Sequence, residues 1–248
     1  MYRDIVKKTT QAVVMISCPD INSKGSGFII SQDGYVITNN HVVSELKLHQ
    51  GNICLSYSSN IIISINGTDS PGRLVIDPNG FPPVVYDYAI LKVEGVNDLP
   101  FLELGNPDEV MPGDNILCLG YPLDFKDVIV TDGIISAVLR RPSHINSLHQ
   151  LRTVVTNAII HFGNSGGPMI HADSGKVVGI NTLSHELSDV LYNRLASWCQ
   201  HPGASDFVLI RDIVKYSLKY TYVGFNHAVS IEHVANDVAM PNLKGGIK

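Results

Sequence analysis

Along most of the chain, apolar and β-branched residues come in short runs, each closed by Gly, Pro, Asn or Asp. That punctuation predicts strands joined by tight turns, the pattern of a β-sandwich or barrel rather than of alternating βαβ units. Runs at 12–17, 27–31, 35–38, 53–57, 61–65 and 88–93 form one set, and runs at 115–119, 128–139, 154–157 and 177–182 form another. Between the sets, Gly105, Pro107, Pro112 and Gly113 mark a connector. The simplest account is an all-β chain in one piece: a first β-half over about residues 10–105, a linker at about 106–113 and a second half over about 114–235.

Two stretches change the period. Tyr2, Ile5 and Val6 fall on one side of a helical turn or two over 2–8. Between about 184 and 220, Leu187, Val190, Leu191, Leu195 and Trp198 repeat at helical spacing, and Phe207, Ile210, Ile213, Val214 and Leu218 do so after the break at HPGASD. This predicts a helical insertion of two amphipathic helices, the second capped by Ser205 or Asp206.

Charge and composition then narrow the function. The formal net charge of -5 provides no basic field for a phosphate backbone, and Arg140-Arg141 is an isolated pair, so nucleic acid is not an expected partner. No apolar run approaches the roughly 20 residues that span a bilayer, and the start lacks the continuous apolar stretch of a signal peptide. Membrane insertion is therefore not expected, and cytosol or nucleus is the default address. Cys18, Cys54, Cys118 and Cys199 are scattered without a CxxC pair, which reads as reduced thiols. Asn66-Gly67-Thr68 matches a glycosylation acceptor, a triplet too short to weigh much.

The candidate chemistry begins at Phe162-Gly163-Asn164-Ser165-Gly166-Gly167-Pro168. Small neighbours let a carbonyl approach the Ser165 hydroxyl, and glycine at 163 permits torsions that aim the amides of 163 and 165 at one point, with Asn164 between them, as an oxyanion hole. Taken alone, the stretch reads equally as a glycine-rich turn. A serine needs a base near neutral pH, and His41 is the candidate: it follows the strand Tyr35-Val36-Ile37-Thr38 and opens His41-Val42-Val43. The carboxylate that would hold the imidazole is Asp87, at the mouth of the run Tyr88 to Val93. Aspartate before a strand is commonly just a turn residue. It is the three together, in the order His, Asp, Ser, that carry weight, and this order opposes an α/β-hydrolase.

At this level of pattern the chain resembles the protease domain of the HtrA (Deg) family of trypsin-like proteases. GSGFIISQDGYVITNNHVV (25–43) resembles the family's histidine motif, DYAILKV (87–93) its aspartate motif and TNAIIHFGNSGGPMI (156–170) its serine motif. KVVGINTL resembles the strand that pairs with bound peptide, and GFNHAVSIEHV the closing strand. The resemblance implies a chymotrypsin-like double β-barrel and a serine endopeptidase working through an acyl-enzyme, with polypeptide substrates and no metal or organic cofactor. It also implies a homotrimer held by an N-terminal aromatic segment, for which Tyr2 is available. Residue by residue, it puts Ile159 and Ile160 at the base of the primary pocket, Ala228 and Val229 opposite, and Thr182 and Leu183 along the peptide. With no acidic residue there, aliphatic side chains are favoured, while His227 leaves an acidic preference open. Asn164 cannot make the ion pair by which zymogens of this superfamily bind a new amino terminus, so control by conformation or oligomer state is expected.

Three departures accompany the resemblance. About a dozen residues follow the closing strand, too few for a PDZ module. The stretch from Ser44 to Pro83 is longer than the family usually needs, and the insertion at about 184–220 is an added element beside the expected pocket. A proteolytically quiet binding protein or chaperone on the same fold is the competing reading.

Overall fold

The computed structural model describes residues 2–49, 52–75, 86–123, 125–142, 150–182 and 226–234. A first helix, α1 (Arg3–Thr9), has Asp4 in its first turn and Lys7 and Lys8 in its last, both favourable to the helix dipole. It leads into β1 (Val13–Cys18), β2 (Ser23–Ile29) and β3 (Tyr35–Thr38), then into the single turn α2 (Asn40–Val43). A ribbon of β4 (Ser44–His49) and β5 (Asn52–Tyr57) follows, then β6 (Ile61–Ile65), β7 (Thr68–Leu74) and β8 (Ala89–Val93). The second set is β9 (Asn115–Gly120), β10 (Ile129–Pro142), β11 (Gln150–Thr156), β12 (Pro168–His171), β13 (Val177–Thr182) and β14 (Asn226–Ser230).

Two closed barrels result, one in the order β1-β2-β3-β8-β7-β6 and the other β10-β11-β14-β13-β12-β9, with β4-β5 as a separate two-stranded sheet. Closure satisfies every strand laterally, which removes the exposed edges that open sheets must protect. The architecture agrees with the expected chymotrypsin-like double barrel. Two strands escape the hydrophobic pattern. β4 contains Glu45, Lys47 and His49, and β7 reads TDSPGRL, with a proline and a glycine that argue against a strand. Pairing with β6 and β8 holds β7 in place regardless, and Asn66-Gly67, both at positive φ, form the tight hairpin turn between β6 and β7. The predicted insertion at 184–220 lies outside the described residues.

The two barrels share a seam made by alternation along their strands. On β9, Ile116 and Cys118 face the interior of the second barrel with Ile135, Val154, Met169 and Val178. Leu117 and Leu119, on the opposite face, join a cluster with Val42, Phe28 and Ile37 of the first barrel. A strand apolar on both faces is what burial between two layers requires. Cys118 is sealed in, and its burial pushes the thiol up to about 12, which leaves it inert.

A buried cation fastens the linker to the second barrel. Arg152 on β11, its side chain only 8% exposed, pairs with Asp108 at 2.8 Å and Glu232 at 3.0 Å, and donates to the carbonyl of Pro107. Arg140 on β10 adds a second contact to Glu232 at 3.2 Å. An isolated guanidinium at this depth would be costly, so the pair is held by geometry that satisfies it. Arg152→Met should lower unfolding stability by about 1–3 kcal/mol, because it removes the buried donor to the Pro107 carbonyl and leaves Glu232 with Arg140 alone. Urea denaturation will read this as a lower midpoint with an unchanged slope.

Candidate active site

Strand register brings His41 and Asp87 together. Thr38, the last residue of β3, pairs with Ala89, the first of β8, so the residues after one strand and before the other emerge at the same barrel rim. There the Asn39 side-chain amide donates to the Asp87 carbonyl at 2.7 Å, and the His41 backbone N–H donates to Asp87 Oδ1 at 3.1 Å. Asp87 takes a left-handed φ of 52°, a conformation that Asp tolerates better than most residues and that turns its carboxylate toward α2. Its two oxygens lie 3.1 and 2.9 Å from His41 Nδ1. Held so, Nδ1 carries the proton and Nε2 is left as the basic nitrogen. From the second barrel, Thr182 Oγ1 donates to Asp87 Oδ2 at 3.3 Å.

Ser165 sits on the loop before β12, 7% exposed. Its carbonyl accepts from the N–H of Ser26 on β2 at 2.8 Å, and the Ser26 carbonyl accepts from Thr38 Oγ1 at 2.7 Å. The candidate nucleophile therefore hangs from the same patch of first-barrel backbone that ends in His41. On the other side, Gly166 N–H donates to Asn181 O at 2.9 Å, and the Asn181 amide reaches the carbonyls of Leu119 and Pro168.

The loop ahead of Ser165 is a turn in which Asn164 N–H donates to His161 O at 3.0 Å, with Gly163 at φ 94°. Positive φ at that place is the demand that glycine meets. The Phe162 carbonyl accepts from Leu123 N–H at 2.7 Å. Because this peptide is trans and planar, the N–H of Gly163 points away from Leu123. Among the described residues, neither Gly163 N–H nor Ser165 N–H has an acceptor, whereas the amide of Asn164 is spent within the turn. Of the three residues expected at the oxyanion hole, two keep a free donor.

The expected pocket residues separate. Ile159 presents a side chain 56% exposed, while Ile160, at 3%, packs with Ala228 in the core of the second barrel and Val229 packs in the seam cluster. Thr182 stands against Asp87 as described, and Leu183 lies outside the described residues. Phe162 and Leu123, beside the turn, are exposed apolar side chains. No described helix is long and apolar enough to cross a membrane, and among the described residues no group of His, Cys, Asp and Glu gathers to hold a metal ion.

Sequence reasoning passed over three contributors. Ser26 is a buried serine between two glycines of a strand, and that placement was the available signal. Tyr86 and His233 stack face to face, with ring centroids 4.2 Å apart and planes 12° off parallel, which couples the residue before Asp87 to the turn after β14. No spacing rule links two such distant positions. Arg152 N–H donates to His233 Nε2 at 3.0 Å, and burial pushes the His233 pKa below its ordinary 6.5 against the pull of the Glu232 charge.

An imidazole braced by a carboxylate, a serine on a loop bonded to the same barrel and two unspent amides are the parts that acyl transfer uses. Comparison with known proteins points the same way. A model of the trypsin-like peptidase domain matches residues 25–180. Serine protease HTRA1 of Xenopus laevis is 33% identical over 190 residues, covering 73% of this chain and 38% of its own. A probable periplasmic serine endoprotease, DegP-like, of Pseudomonas fulva is 40% identical over 163 residues, covering 66% of this chain and 29% of its own. The chain thus spans about a third of the length of these curated relatives. Among solved structures, the HtrA-type protease AlgW with tripeptide aligns over 99% of this chain and 64% of its own, with a TM-score of 0.66 and 26% identity. The serine endoprotease from Yersinia pestis aligns over 98% and 67%, with a TM-score of 0.62 and 27% identity.

The His233 contact has a pH signature. A base whose folded pKa is depressed contributes stability that is fully present above its unfolded value and is lost as pH falls through the folded one. Thermal unfolding measured from about pH 8 down to about pH 5 should show a Tm that begins to decline near the ordinary histidine pKa of 6.5. His233→Gln should remove that decline, leaving only losses at lower pH from carboxylates such as Asp20, which Ser58 and Ser59 hold at about 2.

Proposed function

This chain belongs to the trypsin-like peptidase family, with HtrA and DegP proteases among its relatives, and from that premise we propose that it is a serine endopeptidase in which Ser165, His41 and Asp87 perform the chemistry. The observation that carries the reading is the His41 imidazole held at 2.9 Å by Asp87, with the Ser165 loop bonded to β2, the partner of the strand that leads to His41. Family membership supports peptide-bond hydrolysis as the reaction.

In the proposed cycle, Ser165 Oγ attacks the scissile carbonyl while His41 Nε2 takes the hydroxyl proton. Asp87 keeps the imidazole oriented and balances the imidazolium. The amides of Gly163 and Ser165 receive the developing oxyanion, the step at which fixed donors contribute most. Collapse of the tetrahedral intermediate breaks the C–N bond, with His41 returning its proton to the leaving amine. Water, deprotonated by His41, then cleaves the acyl-enzyme by the same route. No step calls for a metal or organic group.

For specificity we favour cleavage after aliphatic residues. The exposed Ile159 side chain and the absence of acidic residues from 157–163 and 226–230 support this, because a cationic side chain would find no partner there.

Two experiments test the proposal. A fluorophosphonate probe should label the wild-type chain at Ser165 and leave Ser165→Ala unlabelled. Absence of labelling across pH and temperature would mean that the fold serves binding alone. Asp87→Asn, with the wrong imidazole tautomer, should retain the fold and lose about 10⁴ in kcat, measured on a peptide library that also reports the residue preceding each cut.

A further inference from the structure

Ser26 makes more contacts with the oxyanion loop than a strand residue of the other barrel needs. Its N–H donates to Ser165 O at 2.8 Å, as described, and its side chain adds two further bonds. Ser26 Oγ donates to Gly163 O at 2.6 Å and accepts from Tyr121 N–H at 2.8 Å. Two residues on from Tyr121, Leu123 N–H holds Phe162 O at 2.7 Å. The hydroxyl thus closes a ring: Ser26 to Gly163, along the turn to Phe162, across to Leu123, and back through Tyr121 to Ser26. Ser26 is fully buried, so water cannot replace either bond.

Each peptide plane of the turn is fixed by a different partner. The plane of Phe162 and Gly163 is held by Leu123, and that of Gly163 and Asn164 by Ser26 on its carbonyl and by His161 on its amide. The carbonyl of Ser165 is held by the Ser26 backbone. Gly163, with φ at 94°, is the residue best able to rotate if one of these ties is lost, since glycine has no Cβ to confine it. Its amide is one of the two unspent donors. Resting on the reading of Ser165 as nucleophile, we propose that the Ser26 hydroxyl is a positioning residue for the oxyanion hole: it acts across the seam through the Gly163 carbonyl and touches neither substrate nor reacting atoms.

Preorganised donors act on charge that exists only in the transition state, so loss of this hydroxyl should appear in kcat and not in ground-state binding. Ser26→Ala leaves Gly163 O and Tyr121 N–H without their buried partner while keeping both backbone bonds of residue 26. The expected result is a fall in kcat of about 10- to 100-fold, below the roughly 10²–10³ lost when an oxyanion donor is removed outright, with KM changed less than about two-fold.

The test uses the whole chain and a fluorogenic peptide chosen by library profiling. Beside it run two ligands: a peptide aldehyde of the same sequence, which forms a hemiacetal at Ser165 with an oxyanion in the hole, and the matching peptide alcohol, which cannot. Ser26→Ala should weaken the aldehyde by the factor lost from kcat and leave the alcohol unchanged. Equal weakening of both ligands, or wild-type kcat in folded Ser26→Ala, would overturn the proposal. Should that variant fail to fold, Ser26→Cys, close in volume and a weak donor, takes its place with the same expected split, and failure of both to fold would make Ser26 a residue of the core alone. An inactive, unlabelled wild type would sink the endopeptidase reading and this proposal together, whereas an active wild type with an unaffected Ser26→Ala sinks only the latter.

Discussion

A backbone hydrogen bond from Ser26 N–H to Ser165 O runs directly from a strand of one barrel to the serine loop of the other, and each barrel otherwise completes its own sheet. Each barrel satisfies its own strands laterally, so nothing in either sheet dictates how the two should sit. Orientation comes from the linker, where Leu102 N–H donates to Ile29 O and Gly105 N–H to Val177 O, and from the seam. There the outer face of β9 provides area through Leu117 and Leu119, and Ser26 provides direction. Apolar contact alone tolerates sliding. A buried donor and acceptor do not, because separation would leave both unsatisfied at about 1–3 kcal/mol each.

That constraint explains why the candidate site is built from loops yet held as if it were core. Asp87 and His41 emerge from paired strands at one rim, while Ser165 arrives from the other barrel on a turn whose peptides are tied individually. Thr182 reaches back to Asp87, so each barrel contributes a bond to the other's part of the site. Tyr86 stacked on His233 adds a third crossing, and Arg152 connects that turn to the linker through Asp108. From linker to rim the contacts run through Asp108, Arg152 and His233 to the Tyr86 ring next to Asp87.

Much of this was legible from the chain. Short β-branched runs such as Ile61–Ile65 and Val177–Thr182 coincide with strands, and α1 falls within a residue of its expected bounds. Local pattern succeeded where side chains face a core they themselves create. It failed at β7, where Pro71 and Gly72 are carried by pairing with β6 and β8, and at β4, whose alternating charged residues suit a ribbon outside both barrels. Of the residues expected at the primary pocket, Ile160, Ala228 and Val229 are buried and Ile159 is exposed, a division that position in a motif does not announce. Ser26, Tyr86 and His233 act through partners far along the chain, and no local rule relates them.

The least legible part is also the part on which the chemistry would turn. An oxyanion hole made of backbone amides is a property of torsions, and glycine at 163 permits both the productive orientation of its N–H and its reverse. Residue identity at 163 therefore cannot specify activity; the ties around it must. Those ties come from 121–123 and from Ser26, segments that carry none of the reacting groups. Control of such a site need not move the serine, the histidine or the aspartate. Shifting the Tyr121–Leu123 segment by the length of one hydrogen bond would release Phe162 O and with it the direction of the Gly163 amide, leaving three intact side chains around a hole with a single donor.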